Sequence, residues 1–294
     1  MNRVAERMNR MKMKTKQPNF LVRALKPYLR GKSLILGGSI LVIYLLISIF
    51  ASMIFANIPE NLSIALHGPT VGHLFGTDEI GRDLLARVLT GCRIDLFIAI
   101  CGVALAFLLA LPFGLCAGYF GGKLDRVISV ISESVLTFPS MVLAILIVTI
   151  FGTTLIGLIC TIMATQAPQL IRYIRSFVMQ IRNMEYIEAA KAAGSKTSFI
   201  LFRHILPNIM GNCAVVLSLL ASEAVLFASA LGFLGLGVQP PTPELGTMLS
   251  RGRAYFIMVP HLMLFPGLFI AILILGFNLL GDGLRDRIDS KNVK

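Results

Sequence analysis

The chain has 294 residues, 56% of them hydrophobic and only 14% charged, with a net charge of +12. A water-soluble domain carries about a quarter charged residues, so the composition excludes an ordinary soluble enzyme and points to a membrane protein with little soluble mass. The excess of Lys and Arg lies beside apolar stretches, as a bilayer-orientation signal does, and so argues against nucleic acid as a partner.

Taken in order, residues 1–33 form a basic N-terminal tail, with ten Lys or Arg against Glu6 alone. Leu34–Ala56 carries no charge and is long enough to cross a hydrocarbon core of about 30 Å, so it reads as the first span. Residues 57–94 form a polar outer loop, in which Thr77 or Asp78 is expected to cap a helix with the apolar face Leu84, Leu85, Val88 and Leu89. His67, His73 and Asp78 form a weak candidate metal group, because imidazole ligands usually come at tighter, helix-imposed spacing, and no metal site is assigned.

Leu96–Gly118 reads as the second span, kinked at Pro112, and is followed by a short turn through Gly121, Gly122 and Lys123. Val127–Phe151 reads as the third span and carries Glu133; Thr153–Ile171 reads as the fourth. Ile209–Leu234 is the fifth span and carries Glu223. An ionisable group at membrane depth is costly and is a functional suspect, so Glu133 and Glu223 stand as acids that either line a pathway or pair within the bundle. Residues 235–255 form a second outer loop, stiffened by Pro240, Pro241 and Pro243, and the glycines at 232, 235 and 237 allow close helix approach or a broken helix. Phe256–Leu280 is the sixth span, with Pro260 and Pro266 inside it and His261 at its outer end as an interfacial residue; residues 281–294 are the C-terminal tail. The five cysteines show no CxxC spacing and sit mostly in apolar runs, where they act as small hydrophobes.

Between the fourth and fifth spans lies a polar island, residues 172–208. Asn183 is expected to cap a short helix through Ala193, and Gly194 to stop it in the left-handed conformation. Thr197 then starts a second short helix that Pro207 ends. With both termini on the cytoplasmic side, this six-span scheme places 22 of the 27 Lys and Arg there.

Several of these stretches resemble one family. Glu188, Ala189 and Ala190, then Gly194, then His204, Ile205, Leu206 and Pro207 follow the spacing of the EAA loop of ABC-importer permeases. Gly76, Thr77, Asp78, Gly81, Arg82 and Asp83 resemble the G-T-D-x-x-G-R-D signature of the C-type permease of oligopeptide, dipeptide and nickel importers. The stretch 229–237, the PPTP run from Pro240 and the closing Gly281-Asp282-Gly283-Leu284-Arg285-Asp286 match further family patterns in the same order, although Ala228 stands where many relatives carry Glu and Glu244-Leu245 where Ser-Trp is commoner. The resemblance implies an all-α membrane protein with the methionine-importer-like type I permease fold, in a bacterial or archaeal plasma membrane. It implies partners: a second homologous permease, one or two cytoplasmic ABC ATPases, and an extracellular solute-binding protein, all working with the lipid bilayer.

The chain has no G-x-x-x-x-G-K-[ST] phosphate loop, no zinc-ligand motif and no nucleophile–base pair, so no catalysis and no cofactor are expected in it; ATP and Mg belong on the partner ATPase. The expected function is a permease subunit forming half of the pathway for a peptide, nickel or metal-chelate substrate, driven through the EAA loop. The alternatives are a proton-coupled secondary transporter using Glu133 and Glu223, or a pore-forming channel.

Overall fold

The computed structural model describes residues 32–55 and 60–292. Most of the basic tail and Ala56, the last residue of the expected first span, lie outside these residues. Among the described residues the regular elements are all helical. They are α1 (Ser33–Ile54), α2 (Leu84–Phe120), α3 (Gly122–Leu136), α4 (Ser140–Phe151), α5 (Leu155–Ile181), α6 (Glu185–Ala192), α7 (Thr197–Phe199), α8 (Leu206–Phe233), α9 (Leu245–Gly252) and α10 (His261–Asn292). Five helical stretches are each long and apolar enough to cross a membrane, and the α3–α4 pair makes a sixth if counted as one bent span.

The centre of the bundle is the packing of α2 on α5, the most extensive helix pair in the chain. A stripe of small residues at every fourth position, Gly102, Ala106, Ala110, Gly114 and Gly118, lies along α2, and it lets the two backbones approach. A Cβ on Gly114 would lie 2.7 Å from Ile174 Cβ, and one on Gly118 would lie 2.6 Å from Val178 Cβ. Gly276 plays the same part between α10 and α1, where a Cβ would come within 2.9 Å of Ile40 Cγ2. In a bilayer, where lipid tails match the apolarity of side chains, this close steric fit is what distinguishes one helix pairing from another.

Four expectations are corrected. The third span is not one straight helix from Val127 to Phe151: the chain turns through 90° between α3 and α4, at Thr137-Phe138-Pro139. Pro139 has no N–H to continue the α3 ladder, so the helix stops before it and a new one starts with Pro139 as its N-cap. The outer loop 57–94 is shorter than its sequence suggests, because α2 starts at Leu84 and runs unbroken into the second span. The fourth and sixth helices continue past Ile171 and Leu280, to Ile181 and Asn292; the sixth does so despite Gly281, Asp282 and Gly283, where those glycines pack closely on Leu219 of α8 and Leu34 of α1. Finally, Pro207 does not end a helix. The segment Ile200–Ile205 is a π-helical turn, and the Leu206 N–H bonds to the Leu201 carbonyl five residues back; this wider turn lets the chain pass the proline and continue as α8.

Candidate functional sites

The EAA-like stretch is a pre-folded helix–turn–helix. Met184, not Asn183, occupies the N-cap of α6, and no side chain caps it; the carboxylates of Glu185 and Glu188 lie in its first turn instead, where they favour the helix dipole. At the other end Gly194 has φ +76°, the Gly194 N–H bonds to the Lys191 carbonyl at 3.0 Å and the Ser195 N–H to the Ala190 carbonyl at 3.1 Å. This pair of bonds is a Schellman cap, and it requires the left-handed residue that glycine supplies without strain.

The two short helices are held together by a spine of fully buried Ile187, Ile200, Ile205 and Ile209. The His204 ring sits 5.4 Å from Phe199, edge-on, and 6.5 Å from Tyr186, while Asn208 Nδ2 reaches the Tyr186 hydroxyl at 3.3 Å. Lys191 lies over the Tyr119 ring, and Arg182 Nη1 donates to the Gly118 carbonyl at 2.9 Å, so the element is fastened to the C-terminal end of α2. Of the motif residues, Ile205 is core, Ala190, His204 and Leu206 are half-buried, and Glu188, Ala189, Gly194 and Pro207 are exposed. Phe199 and Phe202 are exposed on the same element.

The G-T-D-x-x-G-R-D stretch is a closed knot packed on the bundle. Asp78, 3% exposed, accepts from the N–H groups of Ile80 and Arg82, from Arg82 Nε at 2.7 Å and from Arg87 Nη1 at 3.0 Å. Because its oxygens are consumed in this way, Asp78 does not cap α2, and neither does Thr77. Asp83 does, accepting from the Ala86 N–H at 2.8 Å. Thr77 pairs with Asp83 as an isolated bridge and its hydroxyl donates to the Ile64 carbonyl. Gly81 has φ +77°, and a Cβ there would lie 1.8 Å from the Asn61 carbonyl oxygen; no other residue fits. Phe75 stacks on Phe265 at 3.8 Å and Arg251 Nη1 meets Glu79 Oε1 at 2.8 Å, which fixes the knot to α10 and to the end of α9.

His67, His73 and Asp78 do not converge. His73 Nδ1 lies 2.7 Å from Asp83 Oδ2, His67 Nδ1 is directed at the Ala65 carbonyl, and no group of three metal-binding side chains occurs among the described residues.

Glu133 and Glu223 are both exposed, on different helices, and neither side chain has a hydrogen bond or an ion pair within 4 Å among the described residues, although Glu133 lies near enough to Arg175 to act on it electrostatically. Glu223 lines a groove of about 450 Å³ walled by α5, α8 and the end of α10; Glu133 does not.

Besides Asp78, two acids are buried among the described residues to which the sequence assigned no role. Glu244 is 0% exposed and caps α9, accepting from the N–H groups of Gly246 at 2.9 Å and Thr247 at 3.0 Å. Burial holds its pKa up at about 7, above the usual carboxylate range, while those two N–H groups pull it down. Cβ atoms on Gly232, Gly237 and Gly246 would each come within 2.6 Å of its oxygens, so these glycines make room for a carboxylate; a Cβ on Gly232 would also lie 2.9 Å from the Gly246 backbone, the close helix approach expected there, here of α8 on α9. Asp95, 1% exposed on α2, faces Glu244 and Leu245, and its oxygens have no well-formed hydrogen bond among the described residues. Its signal in the sequence is an acid at the very start of the second apolar run, where it reads as a boundary residue.

The fold and these motifs define a polytopic permease component. Residues 110–294 match the family described as binding-protein-dependent transport system inner membrane component, and the chain belongs to that family. It is 42% identical over 270 residues to a dipeptide transport system permease protein of Alkalihalophilus pseudofirmus, covering 91% of this chain and 89% of that protein. It is 39% identical over 224 residues to a glutathione transport system permease protein of Pectobacterium atrosepticum (76% and 74% covered), and 36% identical over 263 residues to an oligopeptide transport system permease protein of Bacillus subtilis (89% and 86%). The fold is similar to that of a chain in an inward-facing structure of the MetNI methionine ABC transporter, with a TM-score of 0.56 at 21% identity, covering 68% of this chain and 93% of that one. As a permease component, the chain is a non-catalytic, multi-pass subunit of the inner membrane.

Proposed function

We propose that this chain is one of two permease subunits of an ATP-driven importer of peptides, receiving substrate from an extracellular binding protein. The observation that carries the substrate class is the 42% identity, across nearly the whole chain, to a dipeptide permease, together with the glutathione and oligopeptide permeases among its relatives. Those names favour a peptide over nickel or a metal chelate. Membership in a binding-protein-dependent family disfavours the proton-coupled carrier built on Glu133 and Glu223.

In this reading both termini and the element 185–208 are cytoplasmic, in keeping with the distribution of Lys and Arg. Partner ATPases, which hold ATP and Mg, grip the exposed side of α6. Glu188 pairs there with a basic group, and Ala189 keeps the surface flat enough for close approach. The isoleucine spine and the Schellman cap make α6, α7 and the π turn move as one body, and the helical continuity from Thr197 to Phe233 carries that motion into α8. Opening and closing of the pathway follows as a rigid-body change of the spans.

The test is purification of the tagged chain from its own host in mild detergent, with mass spectrometry of what accompanies it. A homologous permease and one or two ATPases are expected; a chain that comes out alone or only with copies of itself contradicts the reading.

A further inference from the structure

The groove between α5, α8 and α10 carries a row of polar side chains that runs from the C-terminal tail into the apolar stretch of α8. Gln169 and Tyr173 come from α5, Asn212 and Glu223 from α8, and Arg285 and Asp289 from the end of α10. Eleven residues of helix separate Asn212 from Glu223, about 16 Å along the axis at 1.5 Å per residue. Such a row is stable when it faces water or protein, and costly when it faces hydrocarbon.

The charges in the groove are not balanced. Arg285 and Asp289 lie on one another at 4.0 Å at its α10 end. Glu223, farther along, has no cation against it among the described residues. Its backbone, by contrast, is firmly placed: Ser222 Oγ donates to Asn278 Oδ1 at 2.9 Å, which ties α8 to α10, and Gln166 Nε2 donates to the Leu220 carbonyl at 3.0 Å, which ties α8 to α5. A carboxylate with an open face on a pinned wall is arranged to bind a cation.

We infer that Glu223 is the point in the pathway that takes a primary ammonium group, the α-amino end of a peptide in transit. This rests on the importer reading above and gives that reading a contact. An ammonium fits the position because it brings one positive charge and donors that a carboxylate accepts strongly. The neighbouring Gln169, Tyr173 and Asn212 supply neutral hydrogen-bonding groups suited to an amide, and the intervening Val215, Val216 and Leu219 are indifferent to side-chain chemistry. The groove thus reads the part that all peptides share.

The experiment is equilibrium binding of radiolabelled dialanine to the purified complex, without binding protein or nucleotide. Unlabelled dialanine should displace it, and N-acetyl-dialanine, which lacks the ammonium, should be weaker by about tenfold or more, the usual scale of losing a charge-assisted bond. Glu223→Gln should weaken dialanine by a similar factor and erase the difference between the two competitors, with Glu223→Asp in between. Equal displacement by the acetylated peptide, unchanged affinity in Glu223→Gln, or no binding by the wild-type complex overturns the assignment. So does loss of the second permease from the Glu223→Gln and Glu223→Asp complexes, which would make Glu223 an intersubunit contact. ATP-driven uptake by the wild-type complex with loaded binding protein separates the two readings. Without it the importer reading itself fails; with it, only the assignment of Glu223 does.

Discussion

Asp78 Oδ2 accepts from Arg87 Nη1 at 3.0 Å, with the two side chains only 4% and 5% exposed, and this contact ties the G-T-D-x-x-G-R-D knot to the first turn of α2. The same oxygen takes Arg82 Nε at 2.7 Å, so one carboxylate answers two buried guanidinium groups. Removing one partner of a buried ionic group costs far more than the pair contributes in net stability, because the remaining charges stay desolvated. Asp78→Asn is therefore expected to destabilise the detergent-solubilised chain by roughly 3–5 kcal/mol. A thermal-unfolding midpoint equal to that of the wild type would remove this role from the knot.

The small-residue stripe on α2 makes a contrast between two glycines. A methyl on Gly118 would be forced against Val178 and to 2.8 Å from the Arg175 carbonyl oxygen, whereas Gly38 on α1 has nothing within 4 Å. Gly118→Ala should lower stability by about 1–3 kcal/mol, the usual cost of overpacking, while Gly38→Ala should cost nothing. Thermal midpoints of the two variants check this; equal midpoints would contradict the packing account.

Glu244 predicts the sign of a pH effect. Its pKa is about 7 in the folded chain against 4.5 for a free Glu, so between those values the folded state holds a proton that the unfolded state has released. The stabilisation is complete below pH 4.5 and is lost as the pH rises through 7. Stability should thus decline from pH 5 to pH 8, and Glu244→Gln should flatten that decline while weakening the α9 cap by about 1 kcal/mol. A wild-type midpoint that rises over this range would show that Glu244 is not protonated.

The helices were readable where hydropathy and length decide the matter, and so were the two signatures where spacing does. Gly194 illustrates the second case: a glycine after a short polar helix predicts the left-handed cap that the structure contains. What sequence did not disclose depends on partners far away in the chain. Thr77, Asp78 and Asp83 are all competent caps, and the choice among them falls to Asp83 because two arginines occupy Asp78. The 90° turn at Pro139 coincides with a change of composition, from α3 with Lys123, Asp125, Arg126 and Glu133 to the uncharged α4, that the reading of one straight span did not use. Glu244 looked like a loop residue because it follows three prolines, and only the packing of three glycines around it shows that it is buried.

The central claim is that the element 185–208 transmits ATP-driven motion to the spans. It is tested most directly by uptake into proteoliposomes carrying the purified complex, its binding protein and internal ATP. The wild type should accumulate peptide only with ATP. Glu188→Lys, which reverses the charge on the exposed side of α6, should abolish uptake. Gly194→Pro should do the same, because proline fixes φ near −65° where the chain requires +76°. Both variants should still insert in the membrane in normal amount. Wild-type rates in either variant, or accumulation by the wild type without ATP, would contradict the account.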